Sequence, residues 1–336
     1  MKFLLCAIFF AALCTAGAAG PETLLNASYD VSREFYSAFN EAYAAQRAKT
    51  GLPPVTVEQS HDGSSKQARA VIDGLQADVV TMNQETDIAA LVGAGLVAED
   101  WKTRLPDGAS PYVSTIVFLV RIDNPKGIKD WDDLVKPGTS VIIPNPQTSG
   151  NGRYSYLAAW AYAMDRSPGN PDAPKDFVKA LFKNVPVLET GGRAATNTFV
   201  QKGIGDVLLT FESEVRQIQT AFDQSGFDVV YPSQSILAEF PVSLVDAVVD
   251  KRGSRPLAED YLHFLWSEPA HRLAAARFLR PRNKSILDEN SPLFPAIKLN
   301  DVTGTFGGWA AAQKTHFAKG GTFDQIYTPD AVPPVK

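Results

Sequence analysis

One stretch of the chain decides the fold: SVIIPNPQTSGNGRYSYLAAWAYAM, residues Ser140–Met164. Its first four residues, Ser140–Ile143, favour a buried β-strand, because Val and Ile prefer the pleated sheet. Its last part, Tyr154–Met164, carries apolar residues at helical spacing. Between them, Pro144–Gly152 is rich in Asn, Ser and Gly, which form turns. The stretch therefore predicts a strand, a turn and a helix, in that order.

The same unit occurs four times along the chain. We predict its strands at Thr23–Ser28, Val55–Gln59, Ser140–Ile143 and Val185–Leu188. The turns that follow are Tyr29–Ser32, His61–Ser65, Pro144–Gly152 and Glu189–Gly192, and each leads into a helical pattern. Further strands are predicted at Ala77–Thr81 and Gly205–Phe211. Strands that alternate with helices indicate parallel α/β sheets.

The spacing of these units predicts two lobes. Two units precede the apolar run Thr115–Arg121 and two follow it, and a chain of 336 residues is long for one core. Thr115–Arg121 and Phe240–Val249 are the best candidates for strands that cross between the lobes. The second lobe, residues 114–240, is then inserted into the first, which comprises residues 20–113 and 241–336.

The N-terminal residues 1–19 have the pattern of a secretory signal peptide: one Lys, an apolar run from Phe3 to Cys14, then small residues. The run is shorter than the ~20 residues that a membrane-spanning helix needs. Both cysteines of the chain, Cys6 and Cys14, lie in this segment, so the exported chain offers no disulfide, thiolate metal site or cysteine nucleophile. The net charge of −5 disfavours nucleic-acid binding.

The four turns together indicate a binding site for a small anion. In open α/β sheets, ligands bind beyond the carboxyl ends of the strands, beside helix N-termini. A single Ser- or Gly-rich turn usually only caps a helix, but two turns from each lobe would surround a shared cleft with backbone N–H groups. Each hydrogen bond to a charged group contributes about 1.5–3 kcal/mol. About six would offset dehydration of a dianion and leave micromolar affinity, roughly −8 kcal/mol, without a Lys or Arg partner.

Several longer motifs make the chain recognisable. It resembles the periplasmic sulfate/thiosulfate-binding proteins of ABC importers over essentially its whole length after the signal. The motifs that carry the resemblance are Leu24–Asp30, Gln59–Arg69, Pro144–Arg153, Ala194–Val200 and Phe306–Ala310. The resemblance implies an α/β, two-lobed periplasmic-binding-protein-like fold of type II, with a hinge between the lobes.

The resemblance also implies which residues bind the anion. Backbone N–H groups would come from Asp30, Ser64, Gly150, Asn151 and Gly192, and a hydroxyl would come from Ser149. Arg153 and Arg193 follow these turns and are expected to brace loops rather than to touch the anion. No catalytic residue, metal or cofactor is implied. The expected protein is a periplasmic monomer that passes sulfate or thiosulfate to a membrane permease and its ATPase.

Three positions depart from the family pattern. Asn151 stands where a second Gly is usual, and Asn tolerates unusual backbone angles better than most residues. Asp62 replaces a Gly and brings a carboxylate towards an anion site, where it caps the helix or weakens binding. Phe211 replaces a Trp whose indole N–H donates to the anion, which predicts that Phe211→Trp tightens sulfate binding.

Alternative functions stay open at this point. Molybdate, tungstate and phosphate are tetrahedral oxyanions like sulfate. A cage of donors disfavours hydrogen phosphate, whose proton needs an acceptor, unless Asp62 supplies one. An exported hydrolase is the weaker alternative, because the chain lacks metalloprotease, serine-hydrolase and phosphate-loop motifs. Iron binding is disfavoured because Tyr154 and Tyr156, two apart on a helix, cannot face one ligand.

Overall fold

The computed structural model describes residues 22–221 and 226–327, so the predicted signal peptide lies outside the described residues. The strands are β1 Glu22–Tyr29, β2 Val55–Asp62, β3 Val79–Thr81, β4 Tyr112–Ser114, β5 Ile116–Arg121, β6 Val141–Pro144, β7 Leu188–Glu189, β8 Val207–Phe211, β9 Phe227–Val230, β10 Gln234–Ile236, β11 Ala238–Glu239, β12 Val242–Leu244, β13 Arg280–Pro281 and β14 Lys298–Asn300.

The α-helices are α1 Arg33–Lys49, α2 Ser64–Ile72, α3 Glu85–Gly93, α4 Pro106–Ala109, α5 Trp131–Leu134, α6 Gly150–Arg166, α7 Ala173–Lys183, α8 Gly192–Val200, α9 Glu212–Ala221, α10 Asp246–Arg252, α11 Arg255–Phe264, α12 Glu268–Ala276, α13 Lys284–Glu289, α14 Val302–Phe306, α15 Trp309–Ala312 and α16 Thr322–Ile326. Short 3₁₀ turns occur at Asp30–Ser32, Trp101–Thr103 and Ser291–Leu293, and a π-helical turn at Gln313–Phe317.

The first lobe is built on a four-stranded sheet in the order β12-β3-β1-β2. β1 is parallel to β2 and β3, and β12 is antiparallel to β3. Helix α1 follows β1 and buries the predicted stripe of Phe35, Phe39 and Tyr43, since apolar residues three and four apart share one helix face. The first two predicted units therefore lie in one sheet.

The second lobe is built on a five-stranded sheet in the order β7-β6-β8-β5-β9. β6 is parallel to β7 and β8, whereas β5 is antiparallel to β8 and β9. The third and fourth predicted units lie here, so the prediction of two α/β sheets is confirmed. Helix α6 begins at Gly150 rather than at Tyr154, because Ser149 caps it. The predicted turn residues Gly150, Asn151 and Gly152 therefore form the first helical turn.

Short antiparallel strands join the lobes. β4 lies between β11 and β13 in a three-stranded sheet. The two predicted crossing runs lie beyond this hinge: Thr115–Arg121 is mostly β5, inside the second sheet, and Phe240–Val249 contains β12, at the edge of the first. The chain instead crosses between the lobes in the short strands next to these two runs. The sequence did not show this, because an apolar run indicates a buried strand in either lobe.

A buried ion pair lies at this junction. Arg280 of β13 donates to both carboxylate oxygens of Glu212, at 2.6 and 2.9 Å, and Tyr231 donates its hydroxyl to the same carboxylate at 2.9 Å. The Glu212 side chain is fully buried. Two parallel hydrogen bonds fix the geometry of such a pair, so this contact ties the start of α9 to the hinge.

The C-terminal part of the described chain packs on the second lobe. Strand β14 pairs with β10, and Lys298 contacts Asp165 of α6. His316 stacks edge-on against Trp160 of α6, with ring centres 4.6 Å apart. The sequence-based boundary placed residues 241–336 in the first lobe, whereas residues 298–327 contact α6 and α7. Local periodicity does not reveal which lobe a short helix packs against.

Candidate functional site

The N-terminal ends of four helical segments meet between the two lobes. The 3₁₀ turn at Asp30 and helix α2 come from the first lobe, and helices α6 and α8 from the second. They surround a small cavity. All six residues that were expected at the site line this cavity: Asp30, Ser64, Ser149, Gly150, Asn151 and Gly192. Five further residues complete the lining: Val31, Gly63, Asn83, Gly191 and Phe211.

Local sequence explains how α6 reaches the cavity. Ser149 has extended backbone angles, and its hydroxyl oxygen accepts the Gly152 N–H at 3.4 Å, as a helix N-cap does. A Cβ at Gly152 would lie 2.3 Å from the Pro144 carbonyl oxygen, so only Gly lets the helix start so close to β6. The first N–H groups of a helix lack acceptors within it and carry its positive dipole end.

Ser64 opens α2 and faces the cavity from the first lobe. Gly63 rather than Ser64 is the N-cap residue. The Ser64 hydroxyl oxygen accepts the Asn83 N–H at 3.1 Å and lies 3.4 Å from the Met82 sulfur. Its side chain thus holds the neighbouring loop in place, and the helix start presents its backbone N–H groups.

The two lobes touch around the cavity. A Cβ at Gly150 would lie only 2.1 Å from the side-chain oxygen of Asn83, so these residues pack closely across the cleft. Arg153 donates to Thr86 of the first lobe at 3.1 Å and to the Pro146 carbonyl at 2.9 Å. Arg193 pairs with Glu34 at 3.4 Å. Both arginines therefore brace loops and bridge the lobes, and neither lines the cavity.

Two carboxyl groups lie beside the cavity. The Asp30 carboxylate accepts the N–H of Val31 at 3.0 Å and the N–H of Arg193 at the start of α8. Burial raises the pKa of Asp30 more than these hydrogen bonds lower it. Burial likewise raises the pKa of Glu214, although Thr196 and Thr210 donate to it. Each carboxyl group is therefore easier to protonate in the folded protein than in water.

Asn151 is held by a buried chain of hydrogen bonds. Its side-chain nitrogen donates to the Thr210 hydroxyl at 2.7 Å, and Thr210 in turn donates to Glu214. Asn151 is 2% exposed. Its amide nitrogen lies 3.4 Å from where a Cβ of Gly192 would stand. The side chain of Asn151 therefore fills space between α6 and α8 while its backbone stays in the first turn.

Asp62 and Phe211, the other two departures from the family pattern, lie at different depths in the cleft. Asp62 is exposed, accepts the Gly63 N–H at 2.7 Å and pairs with Lys66 at 3.3 Å. It lies at the outer mouth of the cleft and not against the inner cavity, and no side chain caps the start of α2. Phe211 is 1% exposed and forms part of the inner wall.

The mouth of the cleft carries several cations. Arg33, Lys66 and Arg193 line it, together with His61. Burial lowers the pKa of His61, whose ring bonds the Tyr29 carbonyl at 3.3 Å, so this histidine braces the turn in its neutral form near pH 7. Asp30 and Asp62 line the mouth as well, and Lys66 pairs with Asp62, so charges of both signs surround the entrance.

Asn83 is the lining residue that sequence reasoning missed most clearly. It follows β3 at the same sheet edge as the other turns, but Met82-Asn83-Gln84 contains no Gly or Ser to mark it. Its side-chain oxygen is buried without a hydrogen-bond partner among the described residues. The rule that ligands lie beyond strand ends, applied to the predicted strand Ala77–Thr81, would have found it.

A family model described as bacterial extracellular solute-binding protein matches residues 29–280. A thiosulfate-binding protein of Pseudomonas aeruginosa is 54% identical over 333 residues, which cover 98% of this chain and 100% of the relative. The chain belongs to the sulfate- and thiosulfate-binding family of bacterial extracellular solute-binding proteins.

Two further comparisons agree with this assignment. A sulfate-binding protein of Salmonella typhimurium is 50% identical over 303 residues, covering 90% of this chain and 92% of the relative. The solved sulfate-binding protein of Mycobacterium tuberculosis superposes with a TM-score of 0.79 at 34% identity, covering 87% of this chain and 98% of that one. The prediction of a two-lobed, type II periplasmic-binding-protein fold is confirmed.

Within residues 22–221 and 226–327, no group of three or more His, Cys, Asp or Glu side chains is placed to hold a metal ion. In the same part of the chain, no helix has the length and apolar character needed to cross a membrane.

Proposed function

We propose that this protein captures sulfate or thiosulfate in the interlobe cavity, outside the cytoplasm, and delivers it to an ABC importer. One observation carries the proposal: the starts of four helical segments from two lobes converge on one small cavity. Family membership adds the class of protein, and the names of the relatives add the class of anion.

The chemistry of the lining suits a fully ionised oxyanion. Asp30, Ser64, Gly150, Asn151 and Gly192 would contribute backbone N–H groups, and Ser149 its hydroxyl. None of the described residues that line the cavity is Lys or Arg. Six hydrogen bonds of about 1.5–3 kcal/mol each would replace much of the hydration of the dianion, and helix dipoles would add to them.

The same lining supports discrimination against phosphate. Hydrogen phosphate keeps a proton that needs an acceptor, and a mispaired buried polar group can cost a factor of about 10⁴–10⁵. Asp62, the acceptor considered from the sequence, is engaged with Gly63 and Lys66 at the outer mouth. Asp30 accepts two backbone N–H groups, which occupy part of its acceptor capacity.

The transport role follows from the class of protein. A solute-binding protein of this kind closes its lobes on the ligand by hinge motion, which suits the short strands β4, β11 and β13. We place the exported chain in the periplasm as a monomer, with a membrane permease and a separate ATPase as partners. The relatives are named as binding proteins, and we assign no catalytic step to this site.

Calorimetric titration with sulfate, thiosulfate, molybdate and phosphate tests the proposal. We expect micromolar or tighter binding of sulfate or thiosulfate, and weaker binding by at least tenfold in Ser149→Ala. The matched control is Ser167→Ala, which lies at the other end of α6 and should bind as the unmodified protein does. Phosphate that displaces sulfate at similar concentration would contradict the assignment, as would tight binding of molybdate alone.

A further inference from the structure

The inner cavity has one wall without hydrogen-bond donors. Most of its lining consists of residues at helix starts, which present N–H groups, but the side chains of Val31 and Phe211 are hydrocarbon. The Val31 N–H is already donated to the Asp30 carboxylate at 3.0 Å. Phe211 ends strand β8 and is 1% exposed. An anion held here would meet donors on several sides and hydrocarbon on the others.

The aromatic part of this wall is rigid. The Phe211 ring packs edge-on against Tyr154 and Phe240, with ring centres 5.9 and 5.1 Å apart. The hydroxyl of Tyr154 is itself fixed between the carbonyl and the N–H of Glu239, at 3.0 and 3.1 Å. Because both neighbours are buried, close packing holds the ring in this position.

Sulfate and thiosulfate would respond to such a wall in opposite ways. Sulfate has four equivalent oxygens, and each one turned towards hydrocarbon loses charge-assisted hydrogen bonds that it makes in water. Thiosulfate replaces one oxygen by a larger sulfur, which is polarizable and a weak acceptor. Sulfur makes favourable contacts with aromatic rings, often at the ring edge.

We propose that Phe211 forms a subsite for the terminal sulfur of thiosulfate, so that this protein prefers thiosulfate to sulfate. This rests on the proposed function, since it concerns the same cavity. The three oxygens of thiosulfate point to the helix starts, and the sulfur contacts the Phe211 ring. The residue thus sets specificity between two dianions of the same charge.

The test is a calorimetric comparison of thiosulfate, sulfate and selenate in the intact exported chain. We expect thiosulfate to bind at least about tenfold more tightly than sulfate, which corresponds to about 1.4 kcal/mol. Selenate is larger than sulfate but has only oxygens, so it should bind like sulfate. A preference for selenate equal to that for thiosulfate would show that size alone decides, and would overturn the proposal.

Three variants separate the effect of an added N–H donor at position 211 from the effect of side-chain size. Phe211→Trp and Phe211→His both add a ring N–H, one in a larger and one in a smaller side chain. Both should lower the thiosulfate-to-sulfate affinity ratio by at least about tenfold. Phe211→Leu keeps the wall apolar but loses the contact between the ring and the sulfur, so it should lower the ratio by less than the Trp and His variants do. Circular dichroism and a thermal melt establish that each variant is folded.

The outcomes distinguish this inference from the function on which it rests. Failure of the unmodified protein to bind either sulfate or thiosulfate contradicts the proposed function itself. Binding of sulfate as tight as or tighter than that of thiosulfate leaves the proposed function intact and overturns the role of Phe211. An equal thiosulfate-to-sulfate affinity ratio in the Leu, His and Trp variants also overturns the role of Phe211.

Discussion

A methyl group at Gly150 should hinder closure of the lobes without harming the fold of either lobe. Gly150 starts α6 in the second lobe and faces Asn83 of the first. A Cβ at Gly150 would lie 2.1 Å from the Asn83 side-chain oxygen and 2.9 Å from its Cγ. Carbon and oxygen atoms in ordinary contact lie about 3.4 Å or more apart, so Gly150→Ala requires the two groups to separate by more than an ångström.

The size of the effect follows from the cost of overpacking. Forcing an extra methyl group into a packed contact costs about 1–3 kcal/mol. This cost falls on the closed state, so sulfate or thiosulfate affinity should drop by a factor of about 5 to 150. Unfolding of the ligand-free protein should be unaffected or shifted to higher temperature, because Ala favours a helix over Gly by about 0.5–1 kcal/mol.

The assay is calorimetric titration of Gly150→Ala beside two matched variants. Gly63→Ala lines the same cavity, but its added Cβ meets no atom within 4 Å, so it should bind within about threefold of the unmodified protein. Combining Asn83→Ala with Gly150→Ala removes the clash and should recover affinity relative to Gly150→Ala alone. Unchanged binding by Gly150→Ala, or no recovery in the double variant, would refute the reasoning.

Two other predictions concern stability. Glu212→Gln leaves Arg280 buried without its charged partner and should lower the free energy of unfolding in urea by about 3–5 kcal/mol. The control is Glu268→Gln, in an exposed pair with Arg272, which should lower this free energy by under about 1 kcal/mol. Equal losses of stability in the two variants would contradict the prediction. Burial lowers the pKa of His316 from 6.5 to about 4, so the unfolded chain binds a proton that the folded one does not, and stability should fall as pH drops from about 6.5 towards 4. Melting temperatures at pH 7 and pH 5 should therefore differ less in His316→Gln than in the unmodified protein, and identical shifts would exclude this histidine as the cause.

The turns around the cavity were predictable because their signal is local. Pro144–Gly152 combines an apolar run, a Ser cap, small residues and a helical pattern within 25 residues. Each preference acts between near neighbours, so the chain carries it without knowledge of the rest of the fold. The same reasoning placed the turns that contain Asp30, Ser64 and Gly192, whereas the resemblance to the family singled out these residues, and the structure brings all of them to one cavity.

Other parts of the site depend on distant residues and could not be predicted in this way. Asn83 carries no turn signal, and its place opposite Gly150 depends on how the lobes meet. Glu214 has the appearance of an ordinary helix residue in the sequence, but it is 6% exposed and bonded to Thr196 and Thr210. Its burial results from packing between α8, α9 and β8.

The sequence by itself determined the two α/β lobes and the helix starts that bear donors, since short-range patterns of apolar, capping and turn residues encode them. It also gave the expectation of an export signal. Tertiary structure alone decided that residues 298–327 pack on the second lobe, that Asp62 turns outward to Gly63 and Lys66, and that Phe211 closes the cavity with hydrocarbon. These features arise between residues far apart in the chain, where packing and burial, rather than local preference, set each neighbour.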